Sequence, residues 1–206
     1  MDGSNLALAA VGAAALLGLA RRGARALDPE RTAHALVPLI WQAWATELEL
    51  EEGEDPRDVD FSAWDYNFEP ALRWVLREAG FRVLGVGGAR FAIDLGNGDV
   101  LKMNLHPAMY DLSISEVENW RHASKAVRRR MAPLLAWGEV DGFVWEVMPM
   151  ANLGEVEESD LERFGREWMK LVRDREPGAN TEDIGPHNVG RYEDRLVLFD
   201  YTSDNL

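Results

Sequence analysis

Leu36, Leu39, Ile40 and Trp44 recur at the three- and four-residue spacing of a helix with one apolar face. Just upstream, Asp28-Pro29-Glu30 reads as a helix start: a capping carboxylate, a first-turn proline and an acidic first turn. A helix is therefore predicted there, kinked at Pro38, which lacks the N–H its turn needs. The acidic stretch Glu49 to Asp60, broken by Gly53 and Pro56, predicts a solvated linker rather than a metal site. A second helix fits Glu69 to Ala79, with Pro70 early, Leu72, Val75 and Leu76 on one face, and Gly80 as its stop.

Beyond Gly80 the period changes. Phe81 to Leu84 predicts a strand, Gly85-Val86-Gly87-Gly88 a glycine-rich turn, and Phe91 to Asp94 a second strand. Gly96-Asn97-Gly98 is a hairpin turn leading into a third strand, Val100 to Leu105. A helix follows from Ser113 to Arg129, with Ser113 and Glu116 spaced as a capping box. Leu134 to Trp137 and Phe143 to Met148 predict two strands around an Asp141-Gly142 turn. Ser159 and Glu162 form another capping-box pattern, opening a helix with Leu161, Phe164, Trp168, Leu171 and Val172 on one face and Pro177-Gly178 at its end. Leu196 to Asp200 closes the series as a buried strand ending in a carboxylate.

At 206 residues the chain has room for one domain plus an appendage, and 47% hydrophobic residues suffice for a packed core. Eight tryptophans are many for this length and predict core or partner-facing positions. A net charge of −14 argues against broad nucleic-acid binding, which needs a basic face, but leaves room for a nucleotide site built from a few local cations and Mg²⁺. With no cysteine there is no disulfide, thiolate metal site or thiol nucleophile. The four histidines form no i, i+4 pair, which argues against zinc. Lysine is scarce beside arginine, so each lysine is informative.

Leu6 to Ala20 is an uncharged Ala/Leu/Gly-rich run followed by Arg21, Arg22 and Arg25. As a helix it reaches about 22 Å, short of the roughly 30 Å of a bilayer core. A membrane anchor is one reading, with the C-terminal part cytoplasmic by the positive-inside rule. The others are a helix packed on a partner or in an oligomer, and a disordered tail. The first residues, Met1-Asp2-Gly3-Ser4, carry no positive charge, which argues against a secretory signal.

The order of these parts is a hairpin with a glycine turn, a strand with a central lysine, a helix with glutamate, two strands, a helix, a polar loop, and a strand ending in aspartate. Asp183-Ile184-Gly185-Pro186-His187-Asn188 has D-x-x-x-x-N spacing, and Asp200-Tyr201-Thr202 follows twelve residues after Asn188. Over roughly residues 81–202 this resembles the protein-kinase-like superfamily, including its small-molecule phosphotransferase branch. The resemblance implies an α+β fold: an antiparallel N-lobe sheet with one helix, a reduced C-lobe, and extra N-terminal helices. It divides the chain into 1–25, an apolar helix; 26–80, a helical extension with an acidic linker; and 81–206, a truncated kinase-like domain.

ATP and Mg²⁺ are the implied cofactors. Asp183 would be the base, Asn188 and Asp200 the metal ligands, and Lys102 the phosphate-binding lysine, a role suited to a compact ammonium. Its ion-pair partner would be Glu116, with Glu118 as the alternative. Met148-Pro149-Met150 would contact adenine, or else belong to ordinary core. Gly85, Gly87 and Gly88 would cover the phosphates, although they match neither the P-loop nor the G-x-G-x-x-G pattern. Without the family, Asp183 and Asn188 are turn residues and Asp200 a strand-end cap.

The sequence departs from the family at Thr181-Glu182, at Thr202, and in ending soon after Asp200. Three functions are therefore expected in order: an ATP-dependent phosphotransferase acting on a protein or small molecule; a pseudokinase-type module binding nucleotide or a partner; and a structural or assembly component of a virus-like, phage-encoded kind.

Overall fold

In the computed structural model, residues 26–51, 54–58, 67–152, 156–173 and 184–200 are described. The apolar run Leu6 to Ala20, part of the acidic linker, the predicted helix stop Pro177-Gly178, Asp183, Tyr201 and Thr202 lie outside them. Among the described residues no helix is long and apolar enough to cross a membrane.

Helix α1 spans Pro29–Glu47, and the Asp28 carboxylate accepts from the Arg31 N–H at 2.9 Å, the cap its sequence predicts. The helix continues through Pro38 and buries Ala33, Leu36, Leu39, Ile40 and Trp44. A 3-10 turn at Pro56–Asp58 precedes helix α2, Phe68–Glu78, which ends at Gly80 with φ 84°. Trp44 stacks on Phe68 with centroids 3.9 Å apart, locking the two helices together.

Three strands follow: β1 Val83–Val86, β2 Arg90–Asp94 and β3 Asp99–Asn104, each antiparallel to the next. After a 3-10 turn at Pro107–Met109 come α3 Tyr110–His122 and the single-turn α4 Lys125–Arg128. Strands β4 Ala136–Val140 and β5 Phe143–Pro149 complete a five-stranded antiparallel sheet in the order β1-β2-β3-β5-β4. Helix α5, Glu158–Arg173, precedes a two-stranded antiparallel hairpin, β6 Val189–Tyr192 and β7 Arg195–Leu198. The molecule is thus an α+β protein.

The chain divides into two compact units. The first holds the residues up to Tyr110 with Gly138–Trp145; the second holds Asp111–Trp137 and the residues from Glu146. Helices α1 and α2 fall in the same unit as β1 to β3. In the first unit the Trp44 indole N–H donates to the Leu105 carbonyl at 2.9 Å, and Trp41 meets Phe143 edge-on at 5.7 Å. The second unit has its own core, in which Phe164, Trp168 and Val172 of α5 pack with Met131, Val189 and Leu196 to Leu198.

Several local expectations are corrected. Gly85 and Val86 lie inside β1, not in a turn, and Gly87, Gly88 and Ala89 connect β1 to β2. The Gly87 N–H closes that connection on the Arg90 carbonyl at 2.7 Å. Helix α3 begins at Tyr110, three residues before Ser113, because Pro107 already starts a helical turn there. Ser113 and Glu116 are therefore buried interior positions, at 1% and 0% exposure, not a capping box. Ser124 breaks the helix, its hydroxyl accepting from the Val127 N–H to cap α4. Ser159 is likewise inside α5 rather than ahead of it. Strand β6 has no counterpart in the sequence reading, which treats that segment as loop.

His106 starts the turn before α3: its Nδ1 accepts from the Ala108 N–H at 3.0 Å, and its ring meets Trp41 and Trp44 edge-on. Burial lowers its pKa below the usual 6.5, since desolvation disfavours the cation. As pH falls through 6.5 the unfolded chain takes the proton first. Stability present above that pH is then lost until the folded pKa is passed. The melting temperature is expected to drop between about pH 7.5 and about pH 5.5. The drop should be smaller in His106→Asn, which keeps an acceptor for Ala108 but cannot titrate. Equal slopes in the two proteins would assign the pH dependence elsewhere.

Candidate functional site

Pairing in the first unit sets Gly85, Ala92 and Lys102 opposite one another across β1, β2 and β3. Directly opposed residues share a face. Lys102 therefore lies on the face away from Leu101 and Met103, which are fully buried. Its cross-strand neighbour on β2 is the small Ala92, and a Cβ built on Gly85, one strand further out, meets nothing within 4 Å. Lys102 itself is half-buried and has an interaction partner in the structure. Gly87 and Gly88 are exposed at the tip of the hairpin, whose Ala89 carbonyl accepts from the Leu105 N–H at the end of β3. Of the three glycines in the predicted turn, Gly85 lies in β1, and only Gly87 and Gly88 belong to the connection.

In the second unit, Val189 pairs with Leu198, and the Phe199 N–H donates to the Asn188 carbonyl at 2.8 Å. Asn188 is thus opposite Phe199 at the mouth of the β6–β7 hairpin, and Asp200 is the next residue. Asn188 is 3% exposed, and its Oδ1 accepts from the Gly185 N–H at 2.9 Å, tying the end of the polar loop to the hairpin. Asn188 and Asp200 each carry a hard side-chain oxygen, the donor type Mg²⁺ takes, and both residues have further interaction partners in the structure. Asp183, assigned as the base, lies outside the described residues. Among those residues no group of three His, Cys, Asp or Glu side chains is placed to hold a metal.

Of the two candidate glutamates on α3, Glu116 is fully buried and Glu118 is exposed. A buried carboxylate needs a partner, and Glu116 is engaged. A second buried carboxylate, Glu146 on β5, is 1% exposed and also engaged. The sequence reading passed over it as strand interior; its signal was a lone acid in the run Phe143 to Met148. Met148 is 1% exposed and its side chain belongs to the second unit's core. It can offer a ligand only its backbone, while Met150 remains partly exposed. Beyond it, Asn152 exchanges backbone hydrogen bonds with Arg191 of β6 at 3.2 and 3.1 Å.

No family model and no curated protein matches the sequence. Among solved structures, the chain is similar to the Legionella pneumophila Lpg2603 kinase bound to IP6, with 16% identity, a TM-score of 0.41, and coverage of 60% of this chain and 49% of that one. It is also similar to a double mutant of the Mycobacterium tuberculosis PknI kinase domain, with 18% identity, a TM-score of 0.37, and coverage of 60% and 58%. The chain spans about half the length of these structures.

Proposed function

We propose that the chain is a kinase-like phosphotransferase of small size, using ATP and Mg²⁺ to phosphorylate a protein or small-molecule hydroxyl. The observation that carries this reading is the β6–β7 hairpin, which sets Asn188 opposite Phe199 with Asp200 next in line. Phosphoryl transfer asks for a carboxamide and a carboxylate beside each other to hold Mg²⁺, plus a separate cation for the phosphates. Asn188 and Asp200 answer the first need. Lys102 of β3, opposite the small Ala92, answers the second. When bound, Mg²⁺ neutralises charge on the phosphates. Asp183 orients the acceptor hydroxyl and takes its proton as the new O–P bond forms and the bond from the γ-phosphorus to its bridging oxygen breaks.

The test is the melting temperature of the full chain with and without Mg·ATP, beside Lys102→Ala and Asp200→Asn. Ligand at 100 times its dissociation constant stabilises by about 2.7 kcal/mol. The wild type is expected to shift upward and both variants to lose the shift. A cooperative melt that ignores Mg·ATP would move the chain to the scaffold reading, and a shift that survives in both variants would reject the assigned residues.

A further inference from the structure

The chain carries 36 acidic against 22 basic side chains, yet from Asn119 to Gly138 it holds Arg121, Lys125, Arg128, Arg129 and Arg130 and no acid. This stretch lies within the second unit up to Trp137. Arg130 pairs with Glu167 of α5, whereas Arg121, Lys125, Arg128 and Arg129 have no ion-pair partner among the described residues. Elsewhere arginines are neutralised locally, as in Arg73 with Glu69, Arg163 with Asp160 and Arg82 with Asp94.

Two of these four cations, Arg121 and Arg128, are tied together by the fold. Arg128 donates from Nη2 to the Arg121 carbonyl and lies over the Trp120 ring at 5.7 Å. Arg121 lies over Trp137 at 5.9 Å. Trp137, beneath the Arg121 guanidinium, is 37% exposed, and Leu135, two residues before it, is 52% exposed. Trp and Arg together at a surface are the composition of protein-binding hot spots.

We propose that this surface, formed by the end of α3, by α4 and by the start of β4, docks an acidic polypeptide segment of a partner protein, with Trp137 and Leu135 receiving an apolar side chain. The charge balance selects the occupant. Screening confines each charge to about 8 Å at physiological salt. A short acidic segment therefore feels only the local cations. An anionic bilayer or a nucleic-acid duplex is broad enough to meet the rest of a chain whose net charge is −14.

The experiment uses the full chain and a fluorescein-labelled acidic peptide, rich in Glu and Asp around one central Leu, read by anisotropy. The peptide is expected to bind, and to bind more weakly as salt is raised from about 50 to about 300 mM. Arg121→Glu with Arg129→Glu should weaken it by at least about tenfold, because like charges now face each other. Arg121→Lys with Arg129→Lys should stay within about threefold, because the charge is kept. Thermal melts of both variants check that they fold. The proposal is overturned if the charge-reversed protein binds the peptide as well as the wild type. It is equally overturned if the wild type sediments with phosphatidylserine vesicles but does not bind the peptide, which would make the occupant a lipid surface.

Discussion

With Asp183 replaced by asparagine, ADP formation from Mg·ATP is expected to fall about 10²–10⁴-fold, the usual contribution of a positioned general base. The melting shift with Mg·ATP should survive, because the substitution removes a proton acceptor and leaves the other proposed ligands in place. The side chains are nearly the same size, so any loss of activity reports chemistry rather than packing. The pair of measurements separates the remaining readings. Loss of turnover with retained binding supports the assigned base. Undiminished turnover rejects it and directs attention to another carboxylate. A wild-type protein that binds nucleotide and forms no ADP is the pseudokinase-type module.

The elements most legible in the sequence were those with strong local chemistry. Asp28 caps α1, Gly80 ends α2 with a positive φ, and Gly96 and Gly98 turn β2 into β3 with φ of 81° and 87°. Each of these is decided within a few residues by backbone sterics. Helix α5 was legible from Phe164, Trp168 and Val172, whose spacing gives one buried face.

What failed was decided by partners distant in sequence. Ser113 and Glu116 have capping-box spacing, but Pro107 starts the helical turn earlier and carries both residues into the interior. Gly85 looks like turn material, yet pairing with Ala92 draws it into β1. Strand β6 was hidden because Val189-Gly190-Arg191-Tyr192 has little strand signal of its own and is a strand through its ladder with β7. That hidden ladder brings Asn188 beside Phe199, so the sequence offered the spacing of the proposed Mg²⁺ ligands but not the reason they are neighbours. Met148 shows the converse: the sequence left it between adenine contact and core, and its side chain went to the core.

Asn104→Ala is expected to destabilise the protein by about 3–4 kcal/mol, more than most single substitutions. Nothing in the strand pattern announces this residue, because Asn at the end of β3 looks like a solvated strand terminus. It is fully buried. Its Oδ1 accepts from the Val144 N–H at 2.6 Å and its Nδ2 donates to the His106 carbonyl at 2.6 Å. One side chain thus joins β3 to the backbone of β5 and to the turn that precedes α3. Alanine would leave a buried N–H and a carbonyl unmatched, each costing about 1–3 kcal/mol, and would add a small void. Aspartate would keep an acceptor for Val144 but set a carboxylate oxygen against the His106 carbonyl, so it should recover little at neutral pH. Urea melts measure the change as a lower midpoint at constant slope. A loss below about 1 kcal/mol would mean that water replaces both bonds and that the two strands are held by their ladder alone.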